Sequence, residues 1–304
     1  VIPRRGFTLV ELAFALGLGL MVAGLSHRAL LQGQRLARAQ AERLAMQDNV
    51  RSAALVLTAE LGGLGSDEIT AAASASLGLP MGVRSDLLAL APGAVTYLAE
   101  RGNGLVCRAA PGAAPEIVVD AALWSSLRAP RVTDSVLVFV ESDPATAADD
   151  AWVHLGIVSV AAGSCPDGGA GTVLRVTGAA PLDLAAALAA VAPGAPVRLV
   201  EVMQARYYRS GGRSWLGLRS VSTGEAITPV AGPLADSTGG VRGLTLSYRD
   251  AADAPTSAAA EVRAVEVALL GVTDQPVWGR DLRMPLVDSF ALTARVALRN
   301  APRP

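Results

Sequence analysis

Between Phe7 and Ser26 the chain runs for twenty residues with one charge, Glu11. As a helix this stretch is about 30 Å long, enough to cross the hydrocarbon core of a bilayer. From Arg28 to Leu61 there is no proline and only one glycine, Gly33. Val50, Ala54, Leu57 and Leu61 repeat there at helical spacing on one face, while Arg43, Gln47 and Arg51 line another. The pattern predicts an amphipathic stem continuous with the apolar span and ended by Gly62-Gly63. A helix over 7–61 measures about 80 Å, a length that suits a first half in a membrane or filament and a second half covered by a domain. The heptad is not sustained, which argues against a soluble coiled coil.

Residues 62–94 are rich in Ala, Ser and Gly and read as a connecting loop with one short helical turn. After that the period changes to that of strands, with β-branched residues set between Gly, Pro and Asp. Strands are predicted at Val95 to Leu98, Gly104 to Arg108, Glu116 to Val119, Ser135 to Glu141, Trp152 to Val160 and Thr172 to Thr177. Further ones are predicted at Val197 to Arg209, Trp215 to Arg219, Val241 to Tyr248, Glu261 to Leu270 and Ser289 to Arg299, and Pro181 to Val191 reads as a short helix. Consecutive strands without regular alternation with helices imply an antiparallel sheet. The expected fold class is α+β, a long N-terminal helix packed on one antiparallel β-rich domain over 95–304.

Composition removes several functions. The formal charge is −1, all 26 basic residues apart from histidine are arginine, and no lysine occurs, so a phosphate-binding loop of the G-x-x-x-x-G-K-[ST] kind is excluded. There is no G-x-S-x-G and no H-E-x-x-H. His154 sits mid-strand between Val153 and Leu155 and reads as a packed or surface histidine. Two cysteines and two histidines make a zinc site improbable. Glu141, Asp143, Asp149 and Asp150 form an acidic loop that is the best place for calcium, but without the D-x-[DN]-x-[DN]-G order they read as solvated, and Asp250 with Asp253 is a thinner set. Arg206, Arg209, Arg213 and Arg219 beside Tyr207, Tyr208 and Trp215 have the composition of a single-strand DNA platform. Sheet alternation is expected to scatter them over both faces, so nucleic acid is not the expected partner. No catalytic residue, metal ligand or cofactor is assigned, and the chain is read as non-enzymatic.

Arg4-Arg5-Gly6-Phe7-Thr8-Leu9-Val10-Glu11-Leu12 ahead of an apolar run resembles the processing site of type IV prepilins and type II secretion pseudopilins. The resemblance implies cleavage between Gly6 and Phe7 by a prepilin peptidase, methylation of the new amine, and a single-pass anchor in the inner membrane. Residues 1–6 are then a leader left in the cytoplasm, 7–26 the membrane half of the helix and 27–61 its amphipathic half. Removing the leader takes away two arginines and moves the formal charge to −3. A secretory signal peptide would have a shorter apolar region and a small-x-small site.

Glu11 lies one helical turn from Phe7, so it can neutralise its own amine. The resemblance implies instead that it attracts the Phe7 amine of an adjacent subunit during assembly, and the plain alternative is that it snorkels to the headgroups. Asp134 to Phe139, Tyr207-Tyr208 with Trp215-Leu216, Gly243 to Tyr248 and Val296 to Asn300 resemble, in that order, the W-type minor pilins and J-type minor pseudopilins. The partners so implied are other minor pilins or pseudopilins and the major subunit, in a complex that initiates or caps a pilus or pseudopilus. The alternative is a binding module, an adhesin or DNA receptor, displayed on the same anchor. Cys107 and Cys165 both fall in the extracytoplasmic part, where an oxidising compartment favours a disulfide and two separately packed thiols are the alternative.

Overall fold

The computed structural model describes residues 8–236, 242–278 and 284–299. The chain opens with α1 (Leu9–Gly62), followed by β1 (Ser66–Ile69), α2 (Ala71–Leu77), β2 (Gly82–Ser85), β3 (Leu87–Ala91) and β4 (Ala94–Ala110). Next come β5 (Glu116–Asp120), β6 (Ser125–Ser126), β7 (Ser135–Val140), β8 (Ala151–Ser164), β9 (Ala170–Thr177) and α3 (Leu184–Ala189). The C-terminal part holds β10 (Pro196–Ser210), β11 (Arg213–Ser220), β12 (Thr228–Leu234), β13 (Leu244–Arg249), β14 (Ala264–Val272), β15 (Val277–Trp278), β16 (Pro285–Leu286) and β17 (Ser289–Ala297). The fold class is α+β: one long helix on an antiparallel sheet.

The helix has 54 residues, and its buried positions are Ala39, Met46, Val50, Ala53, Ala54, Leu57 and Leu61. Every position from Thr8 to Arg38, about 45 Å of helix, is exposed, with Trp278 of β15 beside Arg35 near the end of this stretch. Its remaining turns lie against β12, β14 and β17. Gly271 of β14 allows the closest approach, since a Cβ there would run into the side chains of Val50 and Met46. Asn49 Nδ2 donates to the carbonyl of Gly232 at 2.8 Å, and Arg43 Nε meets Asp288 Oδ2 at 2.7 Å.

Two hydrophobic cores lie behind one continuous ladder. An open sheet runs β3–β4–β10–β11–β12, joined to β14 through Leu234 and Gly271, with β13 and β17 pairing on β14. The helix covers this sheet, and Val50, Leu57 and Leu61 pack with Tyr97, Leu216, Leu244, Val265 and Val267. The outer halves of β4 and β10 continue into a second lobe. There the ladder passes β4–β5–β9–β8–β7–β10 and returns to β4, every pair antiparallel, which closes a six-stranded barrel. Its interior is filled by alternate residues such as Val136, Val138 and Val140, or Val153, Leu155 and Ile157, as period-two strands require. Leu77 of α2 and Leu188 of α3 belong to the same core.

These arrangements change three expectations. Segment 62–94 is not a connecting loop: it holds β1, α2, β2 and β3, and Ile69, Leu77 and Leu79 enter the barrel-lobe core while Leu87 enters the other. Its Ala- and Ser-rich composition hid this, because small residues pack closely without a strong hydrophobic signal. Region 95–304 carries two cores rather than one. The expected break between Leu98 and Gly104 is absent, and β4 runs through Glu100-Arg101-Gly102-Asn103 because Arg101 is matched by carboxylates and Gly102 packs tightly under Ser126. Val241 lies outside the described residues, and that strand is seen as Leu244–Arg249.

Candidate functional site

The free end of the helix starts with a reciprocal cap. Thr8 Oγ1 accepts from the backbone N–H of Glu11 at 3.2 Å, while Glu11 Oε2 accepts from the backbone N–H of Thr8 at 2.9 Å and from its hydroxyl at 3.0 Å. This is a capping box, which satisfies two of the N–H groups a helix leaves unpaired at its start. This role of Glu11 was missed among the expectations of snorkelling and pairing with an amine, although the T-x-x-E spacing is its signal. Gly6 and Phe7 lie outside the described residues. Among the described residues α1 is the one helix long and apolar enough to cross a membrane, consistent with a single-pass anchor.

At the other end of the helix a chain of ions ties the two lobes together. Glu60 accepts from Tyr97 Oη at 3.0 Å and from Arg101 Nη1 at 3.3 Å. Arg101 Nε donates to Glu201 Oε2 at 3.0 Å, and Arg128 Nη2 reaches the same oxygen at 3.1 Å. Arg128 then closes a two-pronged pair with Asp134 at 2.6 and 2.7 Å. Glu201 is buried, and burial alone would raise its pKa; hydrogen bonds from Ser220, Arg101 and Arg128 outweigh that and hold it below the ordinary value. Tyr97 is pushed far up by burial and by the Glu60 carboxylate. The network spans the helix, the shared strands β4 and β10, and the loop before β7. Its residues are far apart in sequence, and no local pattern marks them.

Cys107 of β4 and Cys165, just past β8, form a disulfide with a Cα–Cα distance of 5.6 Å. It bridges two strands of the barrel that are not neighbours in the ladder.

The acidic residues do not converge. Glu141 and Asp143 are exposed, Asp149 is buried in a single 3-10 turn, and Asp143 is used to accept the Ala145 N–H at 2.9 Å. Asp250 holds a turn by accepting from Ala252 and Ala254, and Asp253 pairs with Arg295 at 2.6 Å. Among the described residues no group of three or more His, Cys, Asp or Glu side chains is placed to hold a metal ion.

The arginine and aromatic residues of β10 and β11 are less scattered than alternation suggests. The register sets Tyr208 opposite Trp215, Arg206 opposite Gly217, Ser210 opposite Arg213 and Gln204 opposite Arg219, so Arg206, Arg213 and Arg219 share a face with Tyr208 and Trp215. Tyr207 is on the other face and hydrogen-bonds Ser214 at 2.6 Å. The shared face lines an open cleft of about 640 Å³. Much of its charge is already matched, since Arg213 pairs with Asp274 at 2.8 Å and Arg209 with Asp236 at 3.1 Å.

His154 points out of the barrel into a cleft of about 300 Å³ that Asp67, Arg84, Asp86 and Trp152 also line. Burial and the Arg84 charge lower its pKa, both disfavouring the charged ring. Asp86 Oδ2 accepts from the Gly65 N–H at 2.7 Å, yet burial, aided by the nearby Asp67 charge, pushes its pKa up to about 6. Nothing in the cleft is a nucleophile paired with a base. Comparison of the chain with protein-family models, with curated proteins and with solved structures finds no match.

Proposed function

We propose that this chain is a membrane-anchored structural subunit, a minor pilin or pseudopilin that initiates or caps a type IV pilus or type II secretion pseudopilus, and that it has no active site. The observation that carries the reading is the single unbroken helix, exposed from Thr8 to Arg38 and covered by a β domain beyond Ala39. Its part up to Ser26, apolar all round apart from Glu11 and exposed at every described position, needs a lipid or protein environment supplied from outside the chain. The Gly6-Phe7 junction, next to Arg4-Arg5 and one turn before Glu11, supports processing by a prepilin peptidase and assembly with pilin-like partners. In this reading the β domain lies outside the cytoplasm, which suits the Cys107–Cys165 disulfide.

Mass spectrometry of the protein isolated from membranes tests this. The mature chain should begin at an N-methylated Phe7, and Gly6→Ala should accumulate uncut, because a side chain blocks close backbone approach at the scissile bond. A wild-type protein that keeps Arg4 and Arg5 would overturn it. A second reading, a binding module on the same anchor, draws on the face shared by Arg206, Arg213, Tyr208 and Trp215. It predicts that Trp215→Ala abolishes ligand capture while leaving assembly intact.

A further inference from the structure

We propose that the β15–β16 hairpin is a membrane foot, seating Trp278 and Met284 in the headgroup layer of the bilayer that the helix crosses. The inference rests on the anchor reading above and adds a second point of contact with the same lipid surface.

The hairpin runs down the helix toward its apolar end. Gly271, at the end of the main sheet, faces Met46 and Val50; Asp288 meets Arg43; and the Arg35 guanidinium lies 5.0 Å from the centre of the Trp278 ring. Trp278 is therefore about 12 Å nearer the anchor than Asp288, counted along the helix. It also reaches below Ala39, the first buried residue of the helix. From Ser26 to Arg35 is about 13 Å of helix, while the headgroup layer is about 5–8 Å deep on each side. Helical side chains lean toward the N-terminus, so Arg35 holds Trp278 lower than its own Cα. A tilt of about 20° toward the hairpin lowers a strand packed about 10 Å off the axis by about 3 Å more. With such a tilt Trp278, and Met284 next to its strand partner Pro285, come within reach of the outer headgroups.

The chemistry fits that depth. Trp278 is half-buried, and beyond it Met284, Leu286 and Val287 are 69, 62 and 58% exposed, with no covering element among the described residues. Leu30 and Leu31 carry the apolar surface of the span up to the hairpin, and Arg28, Arg35 and Arg38 stand among them. Tryptophan with aliphatic neighbours and long cationic side chains is the composition that membrane interfaces favour. Continuity with the apolar span selects lipid over a protein partner.

The test uses the full chain in nanodiscs of phosphatidylcholine and phosphatidylglycerol, with an environment-sensitive dye on a single introduced cysteine. The native cysteines are disulfide-bonded, so labelling without reductant reaches only the new thiol. Met284→Cys is the reporter. Leu20→Cys reports insertion of the anchor. Leu127→Cys, 82% exposed beside Arg101 and so at the far end of the helix, reports open water. We expect the Met284 label to be quenched by lipids carrying a nitroxide on the headgroup and to be several-fold less quenched by aqueous iodide than the Leu127 label. A Met284 label that behaves like the Leu127 label while the Leu20 label is buried overturns the foot and leaves the anchor. Shielding from iodide without quenching by the nitroxide lipid means that protein covers the hairpin, and also overturns it. A Leu20 label open to iodide overturns the anchor reading and the foot with it.

Discussion

Glu11 has two possible partners for one carboxylate, the Thr8 cap seen here and an amine brought by a neighbouring subunit. Substitution by glutamine separates them, because a capping box accepts Gln as well as Glu whereas an amine needs the charge. If recruitment depends on the charge, Glu11→Gln should keep membrane insertion and cleavage but lose cross-linking to partner subunits as fully as Glu11→Ala does. Cross-linking at wild-type yield in the Gln variant would assign Glu11 to the cap alone. Asp86 makes a second residue-scale prediction. Its folded pKa of about 6 lies above the ordinary 3.8, so the folded state binds the proton more tightly than the unfolded one. The resulting stability is fully present below about pH 4 and is lost as the pH rises through 6. Asp86→Asn keeps an acceptor for the Gly65 N–H without the buried charge. It should raise stability at pH 7.5 by up to about 3 kcal/mol and give no advantage at pH 4, as read by urea denaturation in detergent.

At the level of elements, the helix and the open sheet are fitted where Gly271 faces Val50 and Met46. Val50 is β-branched and cannot swing aside cheaply, so Gly271→Ala should cost about 1–3 kcal/mol through overpacking. Hydrogen exchange should place the loss in β14 and the helix around residue 50, with the barrel strands unaffected. Uniform loss across both lobes would show that the two cores do not yield separately. The long strands β4 and β10 matter for the same reason: each lends one half to the open sheet and the other to the barrel, so the ion network at Arg101 and Glu201 sits where the two packings meet.

For the whole molecule, the barrel is closed by hydrogen bonds around its ring and cross-linked by Cys107–Cys165. The bond closes a loop with a sequence separation of 58, which the chain-entropy argument values at about 4 kcal/mol. Replacing both cysteines with serine should therefore lower the denaturation midpoint of the barrel lobe, and exchange protection should fall first over β5, β8 and β9. The helix-covered sheet should keep its protection, since its core shares no residue with the barrel core. Equal loss in both lobes would mean that they unfold as one unit.

The membrane-length apolar helix, the stem and its buried face were legible from sequence because a helix carries its pattern locally: twenty nearly uncharged residues, then Val50, Ala54, Leu57 and Leu61 at helical spacing, then Gly62-Gly63. Most strands were legible for the same reason, with boundaries shifted by a few residues, as Ala264–Val272 shows against the expected Glu261 to Leu270. The capping role of Glu11 was missed, although the T-x-x-E spacing carries it. Tertiary structure alone decided that β4 and β10 are each shared by two lobes, that β4 closes onto β10, and that Glu60, Arg101, Glu201, Arg128 and Asp134 meet. Arg213 and Arg219 share a face by alternation within β11, and the two-residue Gly211-Gly212 hairpin sets the register that puts Arg206 with them. Period and composition act within a few residues of one another, whereas the closure of β4 onto β10 is set by contacts between segments about a hundred residues apart, such as Val197 with Gly104, which no local spacing encodes.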